Sequence, residues 1–160
     1  MTGPRLPDLG PRGEGWFAIQ MLLFAAIALA GSVGPAWGGA ARAAGLAVGA
    51  SLVACGGLLS VRGVLDLREN LTPFPKPLPR ARLVESGAYR LARHPIYGGL
   101  ILGAAGWALA TASPVGLAMT IVLVVFFDLK SRREEDWLAR QFEGYTAYRR
   151  RTRRLLPWLY

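Results

Sequence analysis

The chain carries one cysteine and one histidine in 160 residues. Cys55 has no partner for an intrachain disulfide and sits inside an apolar run, where a small thiol reads as packing. His94, with an adjacent acid pair elsewhere as its only company, lacks the ligand spacing of a metal site. Charge is scarce as well, 18% of residues against 52% hydrophobic. Phe17–Val33, Ala43–Val61, Ile96–Ala112 and Val115–Phe127 contain no Asp, Glu, Lys or Arg at all. Nor do they show the polar stripe that a helix on a water-soluble domain needs. These absences argue against a disulfide-stapled domain, a metal centre and an ordinary soluble globule.

What is present is apolar length. About 20 apolar residues cross a bilayer core, with a range near 17–25. The first three blocks reach that length, and the fourth needs the residues just beyond it. The expectation is an all-α integral-membrane chain of four transmembrane helices, a single domain over 1–160. Residues 1–15 form a loose Pro/Gly-rich lead, 16–69 the first two helices, and 70–160 the core that holds the polar clusters. The first block follows a lead of thin positive charge and reads as a retained helix rather than a signal peptide. Gly34–Gly39, with Pro35 and Trp37, is a short turn. Helices three and four form a hairpin turned at Thr111–Pro114, where Ser113 caps the fourth helix and Pro114 takes its first position.

From Leu117 to Phe142 there is neither Pro nor Gly. The fourth helix is then a rod of roughly 40 Å that leaves the membrane as a helical extension. The surplus carries Asp128, Arg132, Glu134, Glu135, Asp136 and Arg140, with Asp128–Arg132 and Asp136–Arg140 as favourable i,i+4 pairs. Gly144 ends it, and a short amphipathic piece, Tyr145–Leu156, follows. Gly45-x-x-x-Gly49 and Gly99-x-x-x-Gly103 are small-residue spacings suited to close helix packing. Trp16, Trp37, Trp137 and Trp158 fall near expected membrane edges, and Trp107 reads as packing.

Net charge is +9, with 17 Arg against 2 Lys. The basic residues gather between helices two and three, and after helix four. The other side has only Arg42. Positive residues stay cytoplasmic, so both termini and the central segment face the cytoplasm. The basic tail is read as a topology determinant and anionic-lipid contact rather than a nucleic-acid surface. Pro73, Pro75, Pro77 and Pro79 deny the central segment helix and strand. It runs extended, as a spacer on the membrane or a strap over a site.

Two polar clusters flank the hairpin. His94 stands between Arg93 and Pro95 at the mouth of helix three, where free backbone N–H groups and the helix dipole attract anions. Arg93 offers a bidentate donor for a carboxylate, and Tyr97 a hydroxyl. Across the hairpin, Glu134 and Glu135 supply negative charge. Such a pocket suits a zwitterionic ligand better than a metal. A structural Arg–Glu network is the alternative.

Asn70-Leu71-Thr72-Pro73, Leu83-Val84-x-x-Gly87-x-Tyr89-Arg90 and Arg93-His94-Pro95-x-Tyr97, then Glu134-Glu135-x-x-Leu138, Phe142, Tyr145-x-x-Tyr148 and Leu156-Pro157, occur in that order. Over Asn70–Pro157 the chain resembles the isoprenylcysteine carboxyl methyltransferase superfamily, which includes phospholipid N-methyltransferases. That resemblance implies an all-helical membrane enzyme that uses S-adenosylmethionine and releases S-adenosylhomocysteine. The absence of a Gly-rich strand-to-helix loop agrees with a fold unlike the soluble methyltransferases. By carry-over, Arg93, His94, Pro95, Tyr97, Glu134 and Glu135 fall in the cofactor pocket, lined by Leu83, Val84 and Tyr89, with Tyr145 and Tyr148 nearby.

The resemblance further implies an acceptor that enters from the lipid, with a carboxylate or amine on a small lipophilic or amphipathic molecule expected. Arg140 is a candidate to orient an anionic acceptor, and His94 or a glutamate to take a proton from an amine. Substituting Glu135 by Gln or His94 by Ala is expected to weaken cofactor binding and leave the protein folded. Abundant Arg, Ala and Gly suggest a GC-rich bacterial genome, hence an inner-membrane protein for which a prenylated protein is an unsuitable acceptor. Membrane sterol reductases, which use NADPH, have a similar Arg-His-Pro-like motif. Here Ile96 and Gly98-Gly99 replace their usual residues, so a reductase is the second reading and a non-catalytic lipid-binding protein the third.

Overall fold

The computed structural model describes residues 6–32 and 38–156. Five α-helices follow one another: α1 (Glu14–Ser32), α2 (Gly39–Leu67), α3 (Pro95–Ala110), α4 (Pro114–Gln141) and α5 (Tyr145–Arg151), with 3-10 turns at Arg68–Asn70 and Gly87–Arg90. The one extended pairing among the described residues is an isolated parallel bridge between Ala92 and Arg153. The expected turn through Pro35 and Trp37, and the features at Pro157 and Trp158, lie outside the described residues.

Among the described residues, three helices are long and apolar enough to cross a membrane: α1, α2 with the turn that continues it to Asn70, and α4. α3 has only 16 residues, a rise of about 24 Å against a hydrocarbon core of about 30 Å. The expectation of four full spans is therefore corrected to three and a shorter apolar helix. Local chemistry fixes that length. Pro95 starts α3, and Ala112, at φ 53°, breaks the chain before Ser113. The block that looked too short is the opening of a 28-residue helix. Ser113 caps it as expected, its Oγ accepting from Gly116 N at 3.0 Å. The same hydroxyl donates to Ala30 O at 2.8 Å, tying α1 to this turn.

The outside of the bundle is apolar. Leu22, Leu29, Leu58, Val115, Ile121 and Val125 are each more than half exposed, an arrangement that lipid solvates and water does not. This is an integral-membrane all-α protein. Inside, Trp16, Ile27, Ile101, Leu123, Phe126, Phe127 and Leu155 form the core. Trp16 is thus a core residue and not the interfacial anchor expected, its indole donating to Pro7 O at 3.1 Å. Trp107, expected as packing, is 42% exposed, though a Cβ on Gly31 would strike its indole.

α2 and α3 approach through glycine. A Cβ on Gly49 would fall on Gly106 O, and one on Gly56 on Gly99 O; one on Gly63 would meet Ile96. The seam steps by seven residues along α2 and between Gly99 and Gly106 along α3, so the expected Gly99/Gly103 spacing is not the one used. Gly103 faces open space. Close backbone contact of this kind is what small residues allow between membrane helices. At the other end, residues 8–17 meet the central segment and α4. Arg133 holds Asp8, Lys76 N donates to Arg12 O at 3.3 Å, and Phe17 packs edge-on against Phe74. The lead, the central segment and the end of α4 therefore share one end of the bundle. Along α4, Asp128 pairs with Arg132 at 2.7 Å as expected, whereas Asp136 reaches Arg133 at 3.7 Å and not Arg140.

Gly56→Val is expected to lower thermal stability in detergent by about 1–3 kcal/mol through overpacking. Gly103→Ala should leave the melting temperature within a degree or two of the parent protein; equal losses would refute the seam.

Candidate functional site

The mouth of α3 is built by backbone pairing. Arg93 N donates to Arg153 O at 2.8 Å and His94 N to Arg154 O at 2.9 Å, so residues 92–94 zip against 153–154. A Cβ on Gly98 would collide with Leu155 O, which keeps this crossing tight. The preceding 3-10 turn is anchored from α2: Asp66 Oδ2 accepts Ala88 N at 2.7 Å. Gly87 lies beneath that carboxylate at φ 60°, where an L side chain has neither space nor comfortable backbone. The turn presents Tyr89, whose carbonyl accepts the Tyr148 hydroxyl at 2.6 Å.

Glu134 and Glu135 are adjacent in sequence and divide their work, because consecutive helical residues point about 100° apart. Glu135 is 1% exposed and faces the cations. Arg93 Nε lies 2.8 Å from its Oε1, Arg154 Nε 3.4 Å, and Arg149 Nε 3.3 Å from Oε2. His94 Nε2 is 3.4 Å away without hydrogen-bond geometry. Arg93 Nη1 further donates to the carbonyls of Arg149, at 3.1 Å, and Thr152. Glu134 points the other way and accepts the Tyr97 hydroxyl at 2.8 Å. Tyr97 stacks between two rings, His94 at 5.4 Å and Phe127 at 4.5 Å between centroids.

Glu134 and Tyr97 open on a cavity of about 310 Å³, at the lower end of ordinary ligand pockets. One wall is α4, with Lys130, Glu134 and Leu138, and continues to Phe142. The start of α3 contributes His94, Ile96, Tyr97 and Leu100, and the end of α2 Val64 and Leu67. The central segment covers it with Leu71–Pro73, Pro75, Pro77 and Ala81–Val84. Asn70 clasps the base of that cover, giving Nδ2 to Arg82 O at 3.2 Å and accepting Arg82 N at 3.0 Å. Gln141 Nε2 holds Leu78 O at 2.9 Å. Tyr89, Tyr145 and Tyr148 complete the lining. Burial raises all three phenols well above the ordinary tyrosine range, so each remains a neutral donor. The Tyr145 hydroxyl is buried with no hydrogen-bond partner among the described residues.

Of the residues expected from sequence, Leu83, Val84, Tyr89, Arg93, His94, Tyr97 and Glu134 line this cavity. Pro95 and Glu135 are buried behind its wall. Arg140 is exposed on α4, outside the lining. Arg93 directs its Nε and Nη1 donors into the protein, which leaves the expected carboxylate clamp largely committed. The sequence reading missed Lys130 and Gln20. Lys130 had been counted only among topology charges, and Gln20 is the sole carboxamide in the first apolar block, a signal that intramembrane polarity deserves.

The chain is thus an apolar helical bundle with a largely apolar cavity that carries a few polar groups at one end. Comparison with known proteins carries this further: residues 44–144 match the model of the phospholipid methyltransferase family, and the chain belongs to that family. Over 81 residues it is 37% identical to a probable protein-S-isoprenylcysteine O-methyltransferase of Oryza sativa, in both the indica and japonica subspecies (49% of this chain, 42% of that protein). It is also 41% identical over 81 residues to the cobalt-zinc-cadmium resistance protein CzcN of Cupriavidus metallidurans (48% of this chain, 36% of that protein). The matches span less than half the length of these curated relatives.

The burial of Glu135 changes the expectation for its substitution. Glu135→Gln leaves three arginines around a neutral amide and should cost about 3–5 kcal/mol of stability. Arg149→Gln, at a side chain 52% exposed, should cost less than about 1 kcal/mol. Unfolding in detergent, followed by circular dichroism, gives both values.

Proposed function

We propose that the protein transfers a methyl group from S-adenosylmethionine to a carboxylate or amine of a lipophilic or amphipathic acceptor at one membrane face. The observation that carries this reading is the composition of the cavity wall in a chain of this family. An unpartnered buried hydroxyl, Tyr145, a half-buried carboxylate, Glu134, and apolar faces converge on one space. These groups fit the cofactor. Leu83, Val84, Leu138 and Phe142 offer apolar walls for its adenine. Glu134 suits an ammonium or ribose hydroxyls, and Tyr145 has a donor to give.

When bound there, the cofactor supplies an activated methyl on a sulfonium. The residues of the chain position and exclude water, which is most of what such a transfer asks of a protein. Glu135, Arg93 and the 153–154 segment hold the mouth of α3 in place. The proline-rich cover shields the cavity from solvent. A carboxylate acceptor needs no base. For an amine acceptor, Glu134 is the carboxylate placed to take the proton, with His94 Nδ1 3.7 Å from its Oε2. The gathering of basic residues at the end that holds the cavity supports a cytoplasmic site with both termini on that side.

Calorimetry with detergent-purified protein tests the reading. S-adenosylhomocysteine is expected to bind and NADPH not; the reverse would establish a reductase, and silence with both a non-catalytic protein. Tyr145→Phe removes a hydroxyl that no protein group uses, so stability should hold. Cofactor affinity should fall about 2- to 10-fold, the worth of one hydrogen bond. Unchanged affinity would remove Tyr145 from the site.

A further inference from the structure

Lys130 departs from the pattern of the other cations around the site. It is 1% exposed and stands in the cavity wall. Arg93, Arg149 and Arg154 share Glu135, Arg154 also meets Asp128, and Arg133 meets Asp8 and Asp136. Among the described residues, no carboxylate lies within ion-pair distance of Lys130. Its ammonium donates instead to the neutral amide of Gln20, at 2.5 Å, and lies 5.1 Å from the centre of the Tyr97 ring. Glu134, one turn away, already accepts the Tyr97 hydroxyl. Glu134 therefore attracts the ammonium only from beyond ion-pair distance, and a buried ammonium whose direct contacts are an amide and a ring is costly without a closer anion.

Its place in the cavity indicates what that anion belongs to. Lys130, Glu134 and Leu138 are spaced one turn apart, a stripe about 12 Å long. Leu138 marks the end beside α5. Lys130 marks the opposite end, deeper in the apolar part of α4. The cavity that Lys130 lines is walled in part by Val64, Leu67, Ile96 and Leu100, which give it apolar surface beside its few charged groups. Such a site fits an amphiphile whose head is anionic and whose tail is hydrocarbon.

We propose that Lys130, held by Gln20, is the specificity-determining subsite that receives an oxyanion of the methyl acceptor, a carboxylate or phosphate on a molecule with an apolar tail. This rests on the reading of the cavity as the methyl-transfer site. Lys130 then selects against neutral and cationic amphiphiles, and Gln20 aims its ammonium.

The test uses the full chain in a non-ionic detergent, with dodecanoate, dodecyl phosphate and dodecanol as probes in calorimetry. At least tenfold tighter binding of one anion than of dodecanol is expected, and the tighter of the two identifies the head group. Lys130→Gln should bring the preference to within twofold, Lys130→Arg should restore part of it, and Gln20→Leu should reduce it by a smaller factor. S-adenosylhomocysteine affinity in Lys130→Gln should stay within threefold of the parent. No anion preference in the parent protein overturns the proposal, and that measurement needs no variant to fold. A preference that survives Lys130→Gln, or a loss confined to S-adenosylhomocysteine, overturns it too. Lys130-dependent anion binding without any S-adenosylhomocysteine binding keeps the subsite and removes the cofactor assignment.

Discussion

The buried carboxylate of Glu135 is the constraint on which the site depends. It gathers Arg93 from the mouth of α3, Arg149 from α5 and Arg154 from the segment beyond. Those groups are far apart in sequence and come together where an apolar bundle meets water. Removing that anion takes the carboxylate from the buried Arg93, while Arg154 keeps Asp128, so the interaction is costlier to lose than to make. With the cluster in place, residues 92–94 can zip to 153–154, Pro95 can start α3, and Tyr97 can stand with its hydroxyl on Glu134 and its ring between His94 and Phe127. The cavity wall follows from these steps.

Family membership and local geometry meet in an uneven way. The matched region, residues 44–144, covers α2 to the end of α4. It leaves out α1, which supplies Gln20, and α5 with its continuation, which supply Tyr145, Tyr148, Arg149 and Arg154. Part of the cavity and most of the arginine cluster are thus built by flanking segments on a shared framework.

Much of the fold was legible because the signals were local. Charge-free blocks gave the apolar helices, Ser113-Pro114 gave the start of α4, and the absence of Gly and Pro after Gly116 let that helix run on to Gln141. The error in α3 was also local: the apolar run continues through Thr111 and Ala112, and only the backbone at Ala112 ends the helix. The site was legible as a set of residues and not as an arrangement. Nothing in the dipeptide Glu134-Glu135 says which carboxylate faces the ligand, since that depends on helix rotation set by tertiary packing. Lys130 and Gln20 are 110 residues apart, and neither carries a motif. Their pairing exists only once α1 lies on α4.

The shortness of α3 has a bearing on the bilayer itself. Its apolar length falls several ångströms short of the hydrocarbon thickness, and lipid meets such a deficit by thinning locally. The helix opens at the cavity. Thinned lipid beside it lowers the distance a head group must travel to reach that opening, while its acyl chains remain solvated by their neighbours. On the proposed function, a helix too short to span comfortably would ease the entry of an acceptor that never leaves the membrane.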